Sequence, residues 1–600
     1  MAFLVFRLVL DVLFLLTIVG FRVKEMRLSG IVKSGLSCWI CLGSLGSLAL
    51  EPGLAQVQEL EDSSQGMVVS AHPLASEAGL RMLQQGGNAV DAAVASTFAI
   101  SVVEPFSAGI GGGGFLLFFE AEAGRMQSLD FRERAPLAAT ETMFLDEAGE
   151  PEPRASLDGH RAVGVPGTVA GLLEVHQRYG SLPWETVVEP ALRLAEDGFA
   201  VHQRFVDAVE RRQEVLLANP AAREAFTREG ELYQVGERLR QPQLADSLRR
   251  LAERPRDFYE GEIGAAIAAD MAAYGGLVTL ADMAAYEPIW RDPLCGLFRQ
   301  FEVCAMGPPS SGGVHLLQIL NLIGDRPLEA QGLHHPDTLH FLAEAMRIAY
   351  ADRAEYLGDP DFVEVPVAAL ISAAYADYRR PQIDEEQARD SAEVTAVEPS
   401  RLRQVGESPE TSHLTVVDGD GNGVSLTFTV NGGFGAGVVA AGTGILLNNE
   451  MDDFSVAPGV PNLYGLVGGE ANAIAPGKTP LSSMTPTIVL EDNRLRLALG
   501  SPGGSTIITT VLQVLLNVLV YELDVAAAIA APRFHHQWLP DRLLLQEGGF
   551  TPETVENLRQ RGHEIEQWQG WGNANGIQVT EENRLQGAAD PRGDGTALGW

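Results

Sequence analysis

The stretch Glu410-Thr411-Ser412-His413-Leu414-Thr415-Val416-Val417 is followed by Asp418-Gly419-Asp420-Gly421-Asn422-Gly423 and then by Val424-Ser425-Leu426-Thr427-Phe428-Thr429-Val430-Asn431. Both flanks are strand-like, and the hexapeptide between them is rich in the Gly, Asn and Asp that tight turns need, so the segment predicts a β-hairpin. With the hairpin centred near Asp420, antiparallel pairing sets Thr429 opposite Thr411 and leaves Asn431 just beyond. A threonine at the head of such a strand has a chemical use if the chain is cut between Glu410 and Thr411. The new α-amino group, with an ordinary pKa near 7.7–8.0, can then take the hydroxyl proton of the same residue. Nucleophile and base share one amino acid. The competing reading is an ordinary hairpin, because threonine is common in strands, and this segment alone favours it.

Composition narrows the partners. The 600 residues carry a formal charge of -36 with 46% hydrophobic residues, enough for a sizeable core. Nucleic acid and anionic membrane are excluded as partners, because phosphate recognition needs clustered Lys and Arg. The lysines are only Lys24, Lys33 and Lys478, so the basic residues are almost all Arg. No metal-ligand spacing is visible, and the adjacent pair His535-His536 is read as structural packing.

Residues 1–55 read as an export address. A first apolar run from Met1 to Gly20 is interrupted by Arg7 and Asp11. A start at Met26 gives a cleaner signal peptide, with Arg27 and Lys33 before an apolar region from Gly35 to Leu50 and a small-residue end at Gly53-Leu54-Ala55. An uncleaved anchor near residues 3–20 is the alternative, although Asp11 suits a bilayer badly. Either way the chain is expected to be exported, to the periplasm or beyond. Cys38 and Cys41 would be lost with the signal. Cys295 and Cys304 flank a segment that reads as a hairpin turning at Arg299-Gln300, which sets the two thiols opposite each other. A disulfide and two buried free thiols are equally open from the sequence.

Four blocks follow the signal. Residues 66–135 read as strand, helix, helix, Gly-rich loop and strand. Residues 160–400 are largely helical, with amphipathic stretches at Trp184 to Glu196 and Thr338 to Glu355. Residues 383–410 are polar and charged and read as a tether ending at the cleavage point. Residues 411–600 return to strands with Gly turns. Gly109-Ile110-Gly111-Gly112-Gly113-Gly114 fits the dinucleotide pattern, but the predicted helix precedes it and the strand Phe115 to Phe119 follows, the reverse of a nucleotide site. Close backbone packing near the nucleophile is the expectation instead. Composition fixes no more than a mixture of α and β.

Seven motifs in order carry a resemblance that spans about residues 66–600. They are Gly86-Gly87-Asn88-Ala89-Val90-Asp91-Ala92-Ala93, Gly111 to Phe115, Asp130-Phe131-Arg132-Glu133, Thr411-Ser412-His413, Asn448-Asn449-Glu450-Met451-Asp452-Asp453-Phe454, Pro480-Leu481-Ser482-Ser483-Met484 and Gly500-Ser501-Pro502-Gly503-Gly504. Together they resemble γ-glutamyltranspeptidase, a family of self-cleaving N-terminal-nucleophile hydrolases. The resemblance implies an α+β fold, a four-layer αββα sandwich with two stacked antiparallel sheets. It implies a precursor cut into a large chain of residues 56–410 and a small chain of residues 411–600.

Within that resemblance Thr411 is the nucleophile and the amides of Gly503 and Gly504 form the oxyanion hole. Arg132, with its planar fork, and the pair Ser482 and Ser483 hold a substrate α-carboxylate. Glu450 and Asp453 supply the opposite charge for an α-ammonium, and Thr429 and Asn431 flank the nucleophile. The segment from Pro458 to Gly469 resembles the lid loop of bacterial members, with Tyr464 as its covering residue. The implied activity is γ-glutamyl transfer from glutathione and related γ-glutamyl amides to water or to an amino acid or peptide acceptor, with no cofactor. Two rivals are a glutaryl-cephalosporin acylase of the same superfamily, against which Asp453 argues, and an inactive uncleaved homologue acting as a binding protein.

Overall fold

A computed structural model describes residues 60–394 and 411–600 apart from Pro458. The expectations for residues 1–55, for residues 395–410 of the tether and for Glu410 lie outside the described residues.

Two seven-stranded antiparallel sheets form the centre. The first runs, in spatial order, Thr596–Gly599, Gly66–Ser70, Ser412–Asp418, Gly423–Thr429, Gly113–Glu120, Arg125–Phe131 and Ile289–Arg291. The second runs Glu61–Ser63, Leu585–Ala589, Asn575–Val579, Arg494–Gly500, Thr487–Glu491, Phe301–Ala305 and Leu294–Phe298. Side chains alternate across a strand, and the first sheet uses both faces for burial. Val68, Leu116, Phe118, Leu414 and Val416 pack against helices, whereas Met67, Val69, Phe115, Leu117 and Val417 share a core with Ile488, Leu497 and Leu499 of the second sheet. Helices Pro73–Gln84, Ala89–Val103 and Trp184–Asp197 cover the outer face of the first sheet, and Gly312–Ile323, Pro336–Tyr356 and Ile507–Leu519 cover the second. This is the αββα sandwich.

Local chemistry accounts for several elements. Asn88 and Asp91 of the first motif form a capping box, in which Asn88 Oδ1 accepts from the Asp91 amide at 3.1 Å and Asp91 Oδ2 accepts from the Asn88 amide at 2.9 Å. The helix they start, Ala89–Val103, is buried on every side, which explains its small and apolar composition. The Gly-rich turn lies between that helix and strand Gly113–Glu120, as its context predicts. A Cβ on Gly112 would sit 1.9 Å from the Thr429 carbonyl oxygen, so the turn exists to let the backbone approach the strand beside Thr411. Cys295 pairs with Cys304 across the hairpin and the two form a disulfide. The group Cys295, Glu302 and Cys304 is the sole metal-ligand cluster found among the described residues, and its sulfurs are committed to that bond.

Two expectations change. The helix Pro336–Tyr356 is buried continuously from Thr338 to Ala354, so it is a central helix rather than an amphipathic surface one. Its polar residues meet partners inside the protein, as where Arg347 Nε donates to Glu344 Oε1 at 3.0 Å. The tether is docked, not free, where it is described. Ser391 donates its amide to Asp541 Oδ2 at 2.8 Å and accepts from Trp538 Nε1 at 2.7 Å, while Ile383 and Val394 are buried. Polar composition hid these contacts because each is made to a residue distant in sequence. Among the described residues no helix is long and apolar enough to cross a membrane.

Candidate active site

The hairpin register is the predicted one. Ser412 pairs with Phe428, which sets Thr411 level with Thr429, and the two hydroxyl oxygens lie 3.4 Å apart. Thr429 Oγ1 also accepts from the Asn431 amide at 2.8 Å. Asn431 has φ of 71°, a left-handed conformation that asparagine tolerates better than most residues. Its side-chain amide donates to the Asn449 carbonyl at 3.0 Å, which ties the nucleophile's strand to the acidic motif.

Arg132 leaves the end of strand Arg125–Phe131 and is held at both backbone groups. Asp130 Oδ1 accepts from its amide at 3.0 Å, and the Tyr286 hydroxyl donates to its carbonyl at 2.7 Å. The guanidinium, 1% exposed, donates to Asp453 Oδ2 at 2.5 Å and forms an ion pair with Glu450. Glu133 Oε2 is 3.9 Å away. Two buried carboxyls and the partly exposed Asp453 therefore surround one buried cation. Burial pushes the Glu133 carboxyl up to about 7 and the Glu450 carboxyl well above the usual range, against the pull of Arg132. Burial also raises Asp453. Nε of Arg132 lacks a hydrogen-bond partner among the described residues, while the Glu133 and Glu450 carboxyls lean on each other and on Arg132. Buried polar groups are normally satisfied, and the exceptions concentrate where a ligand completes them.

The remaining walls come from three loops. Ser482 is fixed through its backbone, its carbonyl accepting from the Ser311 amide at 2.8 Å and the Ser311 hydroxyl at 2.9 Å. Ser483 Oγ is buried without a hydrogen-bond partner among the described residues. Gly503 and Gly504 have φ of 134° and 54° in the turn that opens helix Ile507–Leu519. A Cβ on Gly504 would lie 2.2 Å from the Tyr464 ring. Tyr464 is 5% exposed, and its hydroxyl donates to the Asn431 carbonyl at 2.9 Å. The lid segment is anchored by Asp452 Oδ2, which accepts from the Leu463 amide at 2.8 Å, and by Asn462 Nδ2, which donates to Asp453 Oδ1 at 3.1 Å.

One small cleft, with a cavity volume of about 20 Å³, is lined by Thr411, Thr429, Asn431, Arg132, Glu450, Asp453, Ser482, Ser483, Tyr464 and Gly504. Gly503 precedes Gly504 in the same turn. Arg353, Leu466, Met484 and Ile507 also line it and were not anticipated. Nothing in its spacing distinguishes Arg353 from an exposed helix arginine. The histidines stand apart from this cleft. His413 is bracketed by the hydroxyls of Thr427 at 2.8 Å and Thr415 at 3.0 Å, and burial holds its pKa down to about 3. His535, between Thr509 and Gln537, is likewise held down to about 3 by burial.

Comparison with known proteins agrees with the motifs. Residues 75–600 match the γ-glutamyltranspeptidase family. The chain is 48% identical over 532 residues to the glutathione hydrolase proenzyme of Escherichia coli K12, covering 88% of this chain and 91% of that protein. It is 40% identical over 544 residues to an acylase ACY 1 proenzyme of a Pseudomonas strain, V22, covering 89% and 93%. The solved cephalosporin acylase of Bacillus halodurans superposes with a TM-score of 0.79 at 30% identity, covering 90% of this chain and 97% of that one. The chain belongs to the γ-glutamyltranspeptidase family.

Proposed function

We propose that the protein is a self-cleaving γ-glutamyltransferase and glutathione hydrolase. The precursor is cut between Glu410 and Thr411 into a large chain of residues 56–410 and a small chain of residues 411–600. Export to the periplasm or beyond fits the leader sequence and the Cys295–Cys304 disulfide. Glutathione and related γ-glutamyl amides are the donors. Water, an amino acid or a peptide is the acceptor.

The geometry supports one division of labour. Arg132, Ser482 and Ser483 take the α-carboxylate, and Glu450 and Asp453 take the α-ammonium, so that the γ-carbonyl is presented to Thr411. The freed α-amino group of Thr411 accepts the hydroxyl proton as Oγ1 attacks. The oxyanion is met by the amides of Gly503 and Gly504, an arrangement in which each donor is typically worth about 3–4 kcal/mol of transition-state stabilisation. The proton passes to the departing amine, and a γ-glutamyl ester remains on Thr411. A water or acceptor amine, deprotonated by the same α-amino group, then releases it. Thr429 and Asn431 keep the nucleophile in register, and Tyr464 covers the acyl group and limits water.

The carrying observation is that Thr411 shares one small cleft with a buried cation and the acidic pair Glu450 and Asp453. A zwitterionic head group and a hydroxyl nucleophile have to be this close for a γ-glutamyl donor. The acylase reading is kept alive by the two acylase relatives, and substrate charge separates the two. Purified protein should give two bands on a denaturing gel and should turn over γ-glutamyl-p-nitroanilide in preference to glutaryl-p-nitroanilide. A preference for the glutaryl donor would establish the acylase reading. A single uncut band without turnover would establish the binding-protein reading.

A further inference from the structure

Arg353 sits on the buried helix Pro336–Tyr356 and is 4% exposed, yet it lines the cleft. Its charge is not spent on a carboxylate. Among the described residues it has no ion pair within 4.0 Å, in contrast to its neighbour Asp352, which pairs with Arg379 at 3.0 Å. Burial lowers its pKa to about 10, and the nearby Asp453 opposes that shift. It therefore stays charged at neutral pH. Nε donates to Ser311 Oγ at 3.3 Å, and Ser311 Oγ donates onward to the Ser482 carbonyl at 2.9 Å. The Ser311 amide reaches the same carbonyl at 2.8 Å. This relay ends at the backbone of Ser482, which with Ser483 and Arg132 lines the cleft.

We propose that Arg353 is a positioning residue for the carboxylate-binding half of the cleft, acting through Ser311 on the Ser482-Ser483 loop and by its unpaired positive charge. The inference rests on the reading of Arg132, Ser482 and Ser483 as the carboxylate site. Arg132 already shares its charge with Glu450 and Asp453, so a second cation lining the same cleft adds attraction for an incoming carboxylate. Arg353 is that cation. Holding it buried without a paired carboxylate carries a desolvation cost that the nearby Asp453 offsets only in part, and a bound anion would relieve it further.

The test compares two donors that differ only in the carboxylate, γ-glutamyl-p-nitroanilide and 4-aminobutyryl-p-nitroanilide, on processed enzyme. Arg353→Gln should lower the kcat/KM ratio of the first to the second by at least about tenfold, the size expected for losing a hydrogen bond to a charged group. The loss should appear mainly in KM, and Arg353→Lys should restore part of it. Ser311→Ala, which leaves the charge in place, should lower the same ratio by a smaller factor. It serves as the deciding variant if Arg353→Gln fails to process. A merely structural role would weaken both donors alike, and an unchanged ratio in processed Arg353→Gln, or in Ser311→Ala where the former is not recovered, overturns the proposal. Arg132→Gln is the control. If that substitution also leaves the ratio unchanged, the carboxylate assignment itself is at fault and the role of Arg353 falls with it.

Discussion

Two buried polar regions lie on either side of Thr411, and they are built on opposite terms. Between the sheets, His413, Thr415, Thr427 and Ser425 form a neutral seam in which His413 has a hydroxyl at each ring nitrogen and Ser425 Oγ donates to the Leu499 carbonyl at 3.0 Å. Around Arg132 the groups are ionisable and crowded, with Glu133 and Glu450 raised by burial and Nε of Arg132 without a hydrogen bond among the described residues. The seam is complete without a ligand, and the charged cluster is not. A satisfied network rigidifies a core, whereas an unsatisfied one costs free energy until something fills it. Burial alone therefore does not mark a site.

The largest expected effect breaks the comparison at the residue that joins the two regions. Thr411→Ala removes the hydroxyl, so the chain should remain a single uncut band on a denaturing gel with no turnover of a γ-glutamyl donor. Thr411→Ser should still be cut, more slowly. Normal maturation of the alanine variant would refute self-cleavage at this bond.

Within the charged region, Asp453→Ala should cost γ-glutamyl donors about 2–5 kcal/mol in kcat/KM, because it leaves the ammonium unpaired in a desolvated place. Glutaryl donors, which have no ammonium, should lose far less. Equal losses would show that Asp453 does not read the ammonium. Gly504→Ala should cost about 1–3 kcal/mol of stability through overpacking, since its methyl would overlap the Tyr464 ring in a left-handed backbone. Truncating the ring in Tyr464→Ala should recover part of that stability in the double variant, measurable by thermal unfolding. Additive losses would mean that the ring is not the obstacle.

The neutral seam gives the smallest and most specific effect. His413 has a pKa of about 3 in the folded protein against an ordinary value of 6.5, so between those values the unfolded chain binds the extra proton. Its contribution to stability is complete above about pH 6.5 and shrinks as the pH falls toward 3, by about 2 kcal/mol at pH 5. Glu133 at about 7 and Asp452 at about 6 run in the opposite sense, so the measurement is a difference. The stability lost by the wild type between pH 7.5 and 5 should exceed that lost by His413→Gln, and equal losses would mean that His413 is protonated in the fold. In processed His413→Gln the alkaline plateau of kcat/KM should survive. Loss of activity together with its pH-dependent limb would make His413 the proton acceptor in place of the Thr411 amine.

The local rules served the sequence reading well where partners are near in the chain. Thr411 and Thr429 are joined by a short turn, as are Cys295 and Cys304, and in each case counting outward from the turn gave the observed pairing. The Gly109 to Gly114 run was separable from a nucleotide loop by the order of its flanking elements. Composition misleads where it stands in for contact. Residues 383–394 look solvated, but Ser391 and Val394 are covered by Trp538 and its neighbours. The helix from Pro336 looks amphipathic because its charged residues face partners that lie far along the chain, such as Ser391 and Asp541 for Arg347.

By itself the sequence determined the hairpin, its register and the mixture of α and β, because turn chemistry and strand periodicity are local properties, and the family resemblance of its ordered motifs pointed to the residues proposed to bind a zwitterion. Only the tertiary structure decided that ten of those residues, drawn from six separate segments of the chain, line one cleft. Only it showed that Arg132 is enclosed by three carboxyls and that Arg353 faces the same space unpaired. Charge in a sequence carries no dielectric. How strongly two ionised groups act on each other depends on the water removed between them, and that is settled when the layers close.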